Sequence, residues 1–308
     1  MDRITPKVDL AFKKIFGVEE NKDLLISLIN SIVGEEDQVS EVTLLNPYNP
    51  KSFKTDKLSI LDIKATNQDG KRFNIEIQIS DEADYDKRAL YYWAKLYTEQ
   101  LKVAEDYSKL SKAIGIHILN FNSIPHVAKY HNVFHITEKD TGLLYFKDLE
   151  LHTIELKKFS SNSDEELADI VLKVKNALDI WLAFLTRNDL LSIDNLPKEL
   201  NDVNLKKAIN VLNVMNFSND EREAYEERLK WLRMETSTLK KYEQKCREEG
   251  REEGIAEGEA RGINKGKIEG KIERNIEVAK NLLLAGVSVD IISSSTGLSV
   301  LEIEKLKH

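Results

Sequence analysis

Two short segments, LSILDIKAT (58–66) and RFNIEIQIS (72–80), constrain this chain more than any other part of its 308 residues, because both alternate apolar and polar side chains. A period of two marks half-buried strands. One face lines up Leu61, Ile63, Ala65, Phe73, Ile75, Ile77 and Ile79, and the other carries Asp62, Lys64, Asn74, Glu76, Gln78 and Ser80. The apolar face has to be buried, and a slip of one residue would turn it to water. The turn between the strands decides the register. A two-residue Asp69-Gly70 turn would set Asp62 opposite Ile77 and mix the two faces, since opposed residues point the same way. A three-residue loop, Gln68-Asp69-Gly70, sets Asp62 opposite Glu76. It also gives Gly70 the left-handed position that glycine prefers in such a loop. Pattern and turn chemistry agree on this second register, which brings two carboxylates face to face with Gln78 one step along.

Opposed carboxylates repel unless something cationic lies between them. Their oxygen ligands suit a hard ion such as Mg²⁺, which takes one or two carboxylates together with waters and substrate phosphate. The structural alternative is a solvated polar face neutralised by Lys64.

The flanking pattern places the hairpin in an α/β core with a mixed sheet. Residues 7–33 read as helix in two pieces broken near Gly17, followed by a strand in VSEVTLL (39–45) and a loop, NPYNPKSF. A long aromatic helix is predicted at about 84–107 and strands at 113–121, 129–137 and 149–159. From Ser160 the chain turns helical. Ser163 is a candidate cap, and an apolar stripe runs through Leu167, Ile170, Val171, Val174, Leu178, Trp181 and Leu182. The expected organisation is a core at 1–160, a helical region at 161–245, a glycine-repeat stalk at 246–274 and a small tail at 275–308.

In the stalk, Gly250, Gly254, Gly258, Gly262, Gly266 and Gly270 recur every four residues among helix-compatible Glu, Arg, Lys, Ala and Ile. Each interior glycine costs a helix roughly 0.8–1 kcal/mol, so close approach of a partner helix is the expected compensation. A four-residue step advances about 400° around the axis and favours right-handed coiling. A flexible charged linker is the alternative. The last residues read as three helices separated by Gly286 and Gly297, with Ser288 and Ser299 as caps. Their spacing is like a helix-turn-helix, yet Lys305 and Lys307 are the few basic residues in its middle and last helices, which favours protein packing over groove reading.

The net charge of −8 argues against coating nucleic acid by bulk electrostatics, though acidic metal ligands contribute to that balance. A single cysteine, Cys246, excludes an internal disulfide and fits a reducing compartment. The N-terminus lacks an apolar leader and no run reaches a membrane span, so the expectation is a cytoplasmic protein with no membrane partner. His131 and His135 lie four apart in a strand, where that spacing does not converge on zinc. No HExxH, P-loop or nucleophile elbow is present.

An Asp followed about a dozen residues later by Glu-x-Gln, between a preceding helix and a following helix and strand, resembles the PD-(D/E)XK nuclease core. PKVDLAFKKIFG (6–17), ILDIKAT (60–66), FNIEIQIS (73–80), KRALYYWAKLYTEQL (87–101) and HTIELKKF (152–159) together resemble the Rpn family of recombination-promoting nucleases, also described as transposases. Glycine-repeat tails with a short helical end also occur there. The resemblance implies Asp62 and Glu76 as metal-binding carboxylates, with the backbone carbonyl of Ile77 as a further ligand. It implies Mg²⁺ as cofactor, with Mn²⁺ or Ca²⁺ as substitutes, and DNA as the substrate of an endonuclease with little sequence preference. Recombination, mobile elements or phage defence would be its setting. Gln78 stands where the superfamily usually has lysine: a neutral amide can orient a water but cannot supply positive charge. Lys64, on the same face, is a candidate for that charge. Asp9 on the first helix is a candidate neighbour of the metal, or else a surface ion pair with Lys13. Arg88 and Gln100 on the aromatic helix are candidate phosphate contacts, whereas its tyrosines and tryptophan are read as structural. Lys51, Lys54 and Lys57 precede the first strand and are read as solvated surface. The competing expectations are a catalytically weak DNA-binding or oligomerisation protein on a nuclease fold, and a transposase proper. A homo-oligomer through the C-terminal helices is expected, and Met215 or Met234 could start a short C-terminal form.

Overall fold

Apolar residues three and four apart build two helices, α1 (Asp9–Phe16) and α2 (Lys22–Ile32), separated at Gly17. In the computed structural model, which describes residues 4–48, 62–81, 84–162 and 164–306, these helices cover one face of a six-stranded sheet. Its strands are β1 (Val42–Leu44), β2 (Ile63–Asn67), β3 (Arg72–Gln78), β4 (Ala113–Leu119), β5 (His131–Thr137) and β6 (Leu144–Glu155). Their spatial order is β1-β2-β3-β4-β6-β5. The β3–β4 and β4–β6 pairs are parallel and the others antiparallel, so the sheet is mixed as the pattern predicts. Helix α3 (Tyr85–Thr98) links the parallel strands β3 and β4 and covers the opposite face.

The hairpin has the register that its turn chemistry requires: Ile63 faces Ile75, Lys64 faces Asn74 and Ala65 faces Phe73. Asn67 N–H donates to the Lys71 carbonyl at 3.1 Å, closing the three-residue loop, and Gly70 has φ +81°. Ile63, Ala65, Phe73 and Ile75 are wholly buried against Phe12, Phe16, Leu25, Leu28 and their neighbours. Leu61 and the predicted start of this strand at 58–60 lie outside the described residues, as do Lys51, Lys54 and Lys57.

The aromatic helix stops at Thr98, short of the predicted 107. Beyond it the side chain of Gln100 doubles back to the backbone of Ser111, and Ala104 adopts φ 69°, which no continuing helix allows. The last predicted strand ends at Glu155, and Leu156–Phe159 form one helical turn, α4. The apolar stripe that follows is divided between α5 (Leu167–Lys173) and α6 (Ala177–Arg187). Ser163 lies outside the described residues; Glu166 with Asp169, and Asn176 with Asp179, form the capping boxes. With α7 (Val203–Asn213), these helices complete the core that includes the sheet, so packing continues across residue 160 and the first compact unit is Met1–Glu235.

The second unit, Thr236–His308, contains most of α8 (Asn219–Leu284), then α9 (Val289–Thr296) and α10 (Val300–Lys305). All six repeat glycines are helical, and a Cβ added at any of them would meet nothing within 4 Å. Ala279, Ile292 and Ile303 form a small core of their own. Gly286 and Gly297 turn the chain at φ +78° and +73°. Ser299 caps α10 through its side chain, whereas Ser288 occupies the cap position of α9 without such a bond. Among the described residues no helix is long and apolar enough to cross a membrane.

Candidate active site

The middle of the hairpin's polar face is covered, while Asp62, Lys64, Gln78 and Ser80 keep partial exposure. Helix α3 lies over it, leaving Asn74 1% and Glu76 8% exposed. On the neighbouring strand His117 pairs with Glu76 in register, and its Nδ1 lies 3.8 Å from a Glu76 carboxylate oxygen. Tyr85 packs edge-on against the His117 ring. The side-chain amide of Asn74, both ring nitrogens of His117, the Tyr85 hydroxyl and the Thr153 hydroxyl are buried without a protein hydrogen-bond partner. Glu76 therefore stands at the edge of a buried polar layer rather than on an open surface. Burial, then the Arg88 guanidinium, holds the His117 imidazole down at about 4, so it is neutral near neutral pH. Burial and the Glu76 charge push the Tyr85 phenol well above its usual range.

Asp62 immediately precedes β2, one step beyond the Ile63–Ile75 pair, which sets it across from Glu76. Burial raises its pKa; the positive charges of Lys13, Lys64 and Arg88 pull it down, and Asp9 pushes it up. Arg88, one turn into α3, reaches Glu76 at 3.2 Å. The structure thus gathers Asp62, Glu76, Asp9, Lys64 and Arg88 in one neighbourhood, and Gln78 continues the same strand with its amide donating to the Ser80 carbonyl at 3.2 Å. The Lys64 ammonium is 3.6 Å from Glu99, near the end of α3.

Two expectations change. Asp9 does not pair with Lys13: its carboxylate faces Arg228 of α8 at 3.4 Å and accepts from the Leu10 N–H. Its pKa is raised, chiefly by burial. Gln100 belongs to the other end of the sheet, where its amide both donates to and accepts from the Ser111 backbone at 2.9 Å. Ser111 leads into the strand at Ala113, which pairs with Arg72 at the opposite end of β3 from Gln78. Gln100 is committed to the loop there and is not gathered with Asp62.

Two residues at the site escape the sequence patterns. Lys13 is wholly buried, and its ammonium donates to the backbone carbonyls of Asn46 and Asp62. Asn46 donates its amide to the Asp62 carbonyl at 2.9 Å and accepts from the Lys64 N–H at 2.7 Å. Burial, opposed by the Asp62 charge, lowers Lys13 to about 8. The available signal was a lysine set among Phe12, Ile15 and Phe16 with a glycine four residues later.

Among the described residues, no three His, Cys, Asp or Glu side chains converge to hold a metal by themselves. Two carboxylates brought near each other fit a cation that keeps waters and shares substrate oxygens, as Mg²⁺ does, and not a closed structural centre. The positive charges of Lys13, Lys64 and Arg88 around Asp62 oppose the cation and suit an anionic substrate instead.

The family model of PD-(D/E)XK nuclease family transposases matches residues 6–241, and the chain belongs to that family. No curated protein and no solved structure matches it.

Proposed function

We propose that this member of the PD-(D/E)XK nuclease family transposases is a divalent-metal-dependent endonuclease that hydrolyses phosphodiester bonds of DNA with little sequence preference. The observation that supports the reading is the hairpin register, Ile63 opposite Ile75, which continued by one residue brings Asp62 across from Glu76. In this reading both carboxylates and the Ile77 carbonyl hold Mg²⁺, with Mn²⁺ or Ca²⁺ as substitutes. When bound, the ion supplies Lewis-acid stabilisation of charge developing on a phosphoryl oxygen. Gln78 orients the attacking water through its amide, and Arg88, already beside Glu76, turns to a phosphate oxygen when a cation takes over that carboxylate. Lys64 adds positive potential to the site, and Asp9 lies at its edge.

The setting proposed is recombination, mobile-element movement or phage defence, in the cytoplasm. The glycine-repeat helix would join copies of the chain into a homo-oligomer, and an internal start at Met215 or Met234 would yield a C-terminal form able to join it.

Supercoiled plasmid incubated with Mg²⁺ or Mn²⁺ tests the site. Wild-type protein should nick it, and Asp62→Ala and Glu76→Ala should each abolish nicking while unfolding at the wild-type temperature. Nicking that survives in both variants would overturn the assignment. A wild-type chain that binds DNA yet cuts under no metal would favour a binding role on a nuclease fold, a reading that Gln78 in the usual lysine position keeps open.

A further inference from the structure

Lys13 is, among the described residues, the only lysine that is buried, and its path through the protein is prepared. Its aliphatic stem crosses directly over Gly17. A Cβ at Gly17 would come within 2.7 Å of Lys13 Cδ, 3.0 Å of Cε and 2.8 Å of the Lys13 backbone carbonyl. Gly17 has φ −105°, a conformation any residue adopts, so its small size matters here and not its backbone freedom. Beyond the glycine the ammonium meets the carbonyl of Asn46, at 2.7 Å, and that of Asp62.

The Asp62 carbonyl is therefore held twice, by Lys13 and by the Asn46 amide at 2.9 Å. Asn46 also accepts from Lys64 N–H, and Leu45 N–H donates to the Lys64 carbonyl at 2.8 Å. This clamp matters because Asp62 lies just outside the ladder: the paired residues of β2 begin at Ile63. A side chain from α1 and that of Asn46, two residues past the end of β1, thus do for the Asp62 peptide what strand pairing does for its neighbours.

We propose that Lys13, seated on Gly17 and acting with Asn46, is a positioning residue that holds the Asp62 carboxylate in place to bind the catalytic cation. The proposal rests on the metal-site reading of Asp62 and Glu76. It assigns to the lysine on α1 and the glycine that ends this helix four residues later a task at the site, through the peptide of Asp62 rather than through contact with substrate.

The experiment uses the full chain and two readouts: Mn²⁺ binding by calorimetry, and plasmid nicking as a function of Mg²⁺ concentration. Lys13→Met keeps the buried stem and removes the donor. Gly17→Ala leaves Lys13 chemically intact but crowds both its stem and its backbone carbonyl, and Asn46→Ala removes the second donor. Each should weaken Mn²⁺ binding by about 10-fold or more, the usual scale for partners that orient ligands. Lys13→Met should also slow nicking at saturating Mg²⁺ by about 100-fold, the scale of a small displacement of a reacting group. Far-UV circular dichroism and thermal unfolding identify variants that fold; if Lys13→Met does not, Gly17→Ala and Asn46→Ala decide. Folded variants with wild-type Mn²⁺ affinity and Mg²⁺ dependence would overturn the proposal. Asp62→Ala in the same titration separates the two readings. If it binds Mn²⁺ as wild type does, the metal-site reading fails and the role of Lys13 falls with it; if it loses binding while the clamp variants keep theirs, only the clamp is wrong.

Discussion

The β2–β3 hairpin and the glycine-repeat helix are both governed by a sequence period, two residues in one and four in the other, but they are stabilised in opposite ways. In the hairpin the repeat is buried: Phe73 and Ile75 have no exposed surface, and their burial specifies the register of every polar residue between them. In α8 the repeated glycines are exposed and a Cβ at each would meet nothing. The intervening side chains form exposed i,i+4 pairs such as Glu257 with Arg261 at 2.6 Å, each worth only a few tenths of a kcal/mol. The contrast teaches that a period specifies structure within a chain only when it creates a surface the same chain can bury. A period whose surface is left open is information for something outside that unit, which is why a second copy is proposed for the glycine helix.

The largest effect expected from breaking this contrast is in the hairpin. Phe73→Ala removes a wholly buried ring and should destabilise the first unit by about 3–5 kcal/mol, read as the shift of its denaturant midpoint at unchanged slope. A loss below about 1 kcal/mol would mean that the face is not packed as described.

A smaller effect should appear at the far edge of the same sheet. His131 on β5 lies 2.9 Å from His152, and burial, with His152 and Lys129 nearby, depresses its pKa from 6.5 to about 4. The unfolded chain then takes up a proton at a higher pH than the folded one. The stability this group contributes is complete above about 6.5 and is lost progressively as pH falls toward about 4. Stability curves for wild type and His131→Asn should diverge in that window only, the variant losing less on acidification; parallel curves would refute the linkage.

The smallest effect is expected in α8. Gly262→Ala should stabilise the isolated helix by roughly 0.8–1 kcal/mol, seen as increased ellipticity. If the glycine face packs on a second copy, alanine at Gly254, Gly258 and Gly262 together should raise helicity while lowering the mass found by light scattering. Unchanged mass in this variant, and in a chain truncated near Gly250, would remove the proposed stalk.

How much was legible beforehand follows the same division. The mixed sheet, the break at Gly17 and the hairpin register were readable because strand alternation and a three-residue turn act over a few residues. The end of the aromatic helix was not, because it depends on Gln100 finding Ser111 across a loop. Nor was the division of the stripe after residue 160 into two helices, where the Asn176 side chain caps the start of the second.

The sequence by itself determined the register of this hairpin, and with it that Asp62 and Glu76 lie near each other, since burial of an alternating face and the left-handed Gly70 leave one register. Only the tertiary structure decided what surrounds them. Lys13 meets Asp62 across 49 positions and Arg228 meets Asp9 across more than two hundred. Such partners depend on which elements pack together, and the charge around a buried carboxylate is the sum of those encounters rather than a property of its own segment.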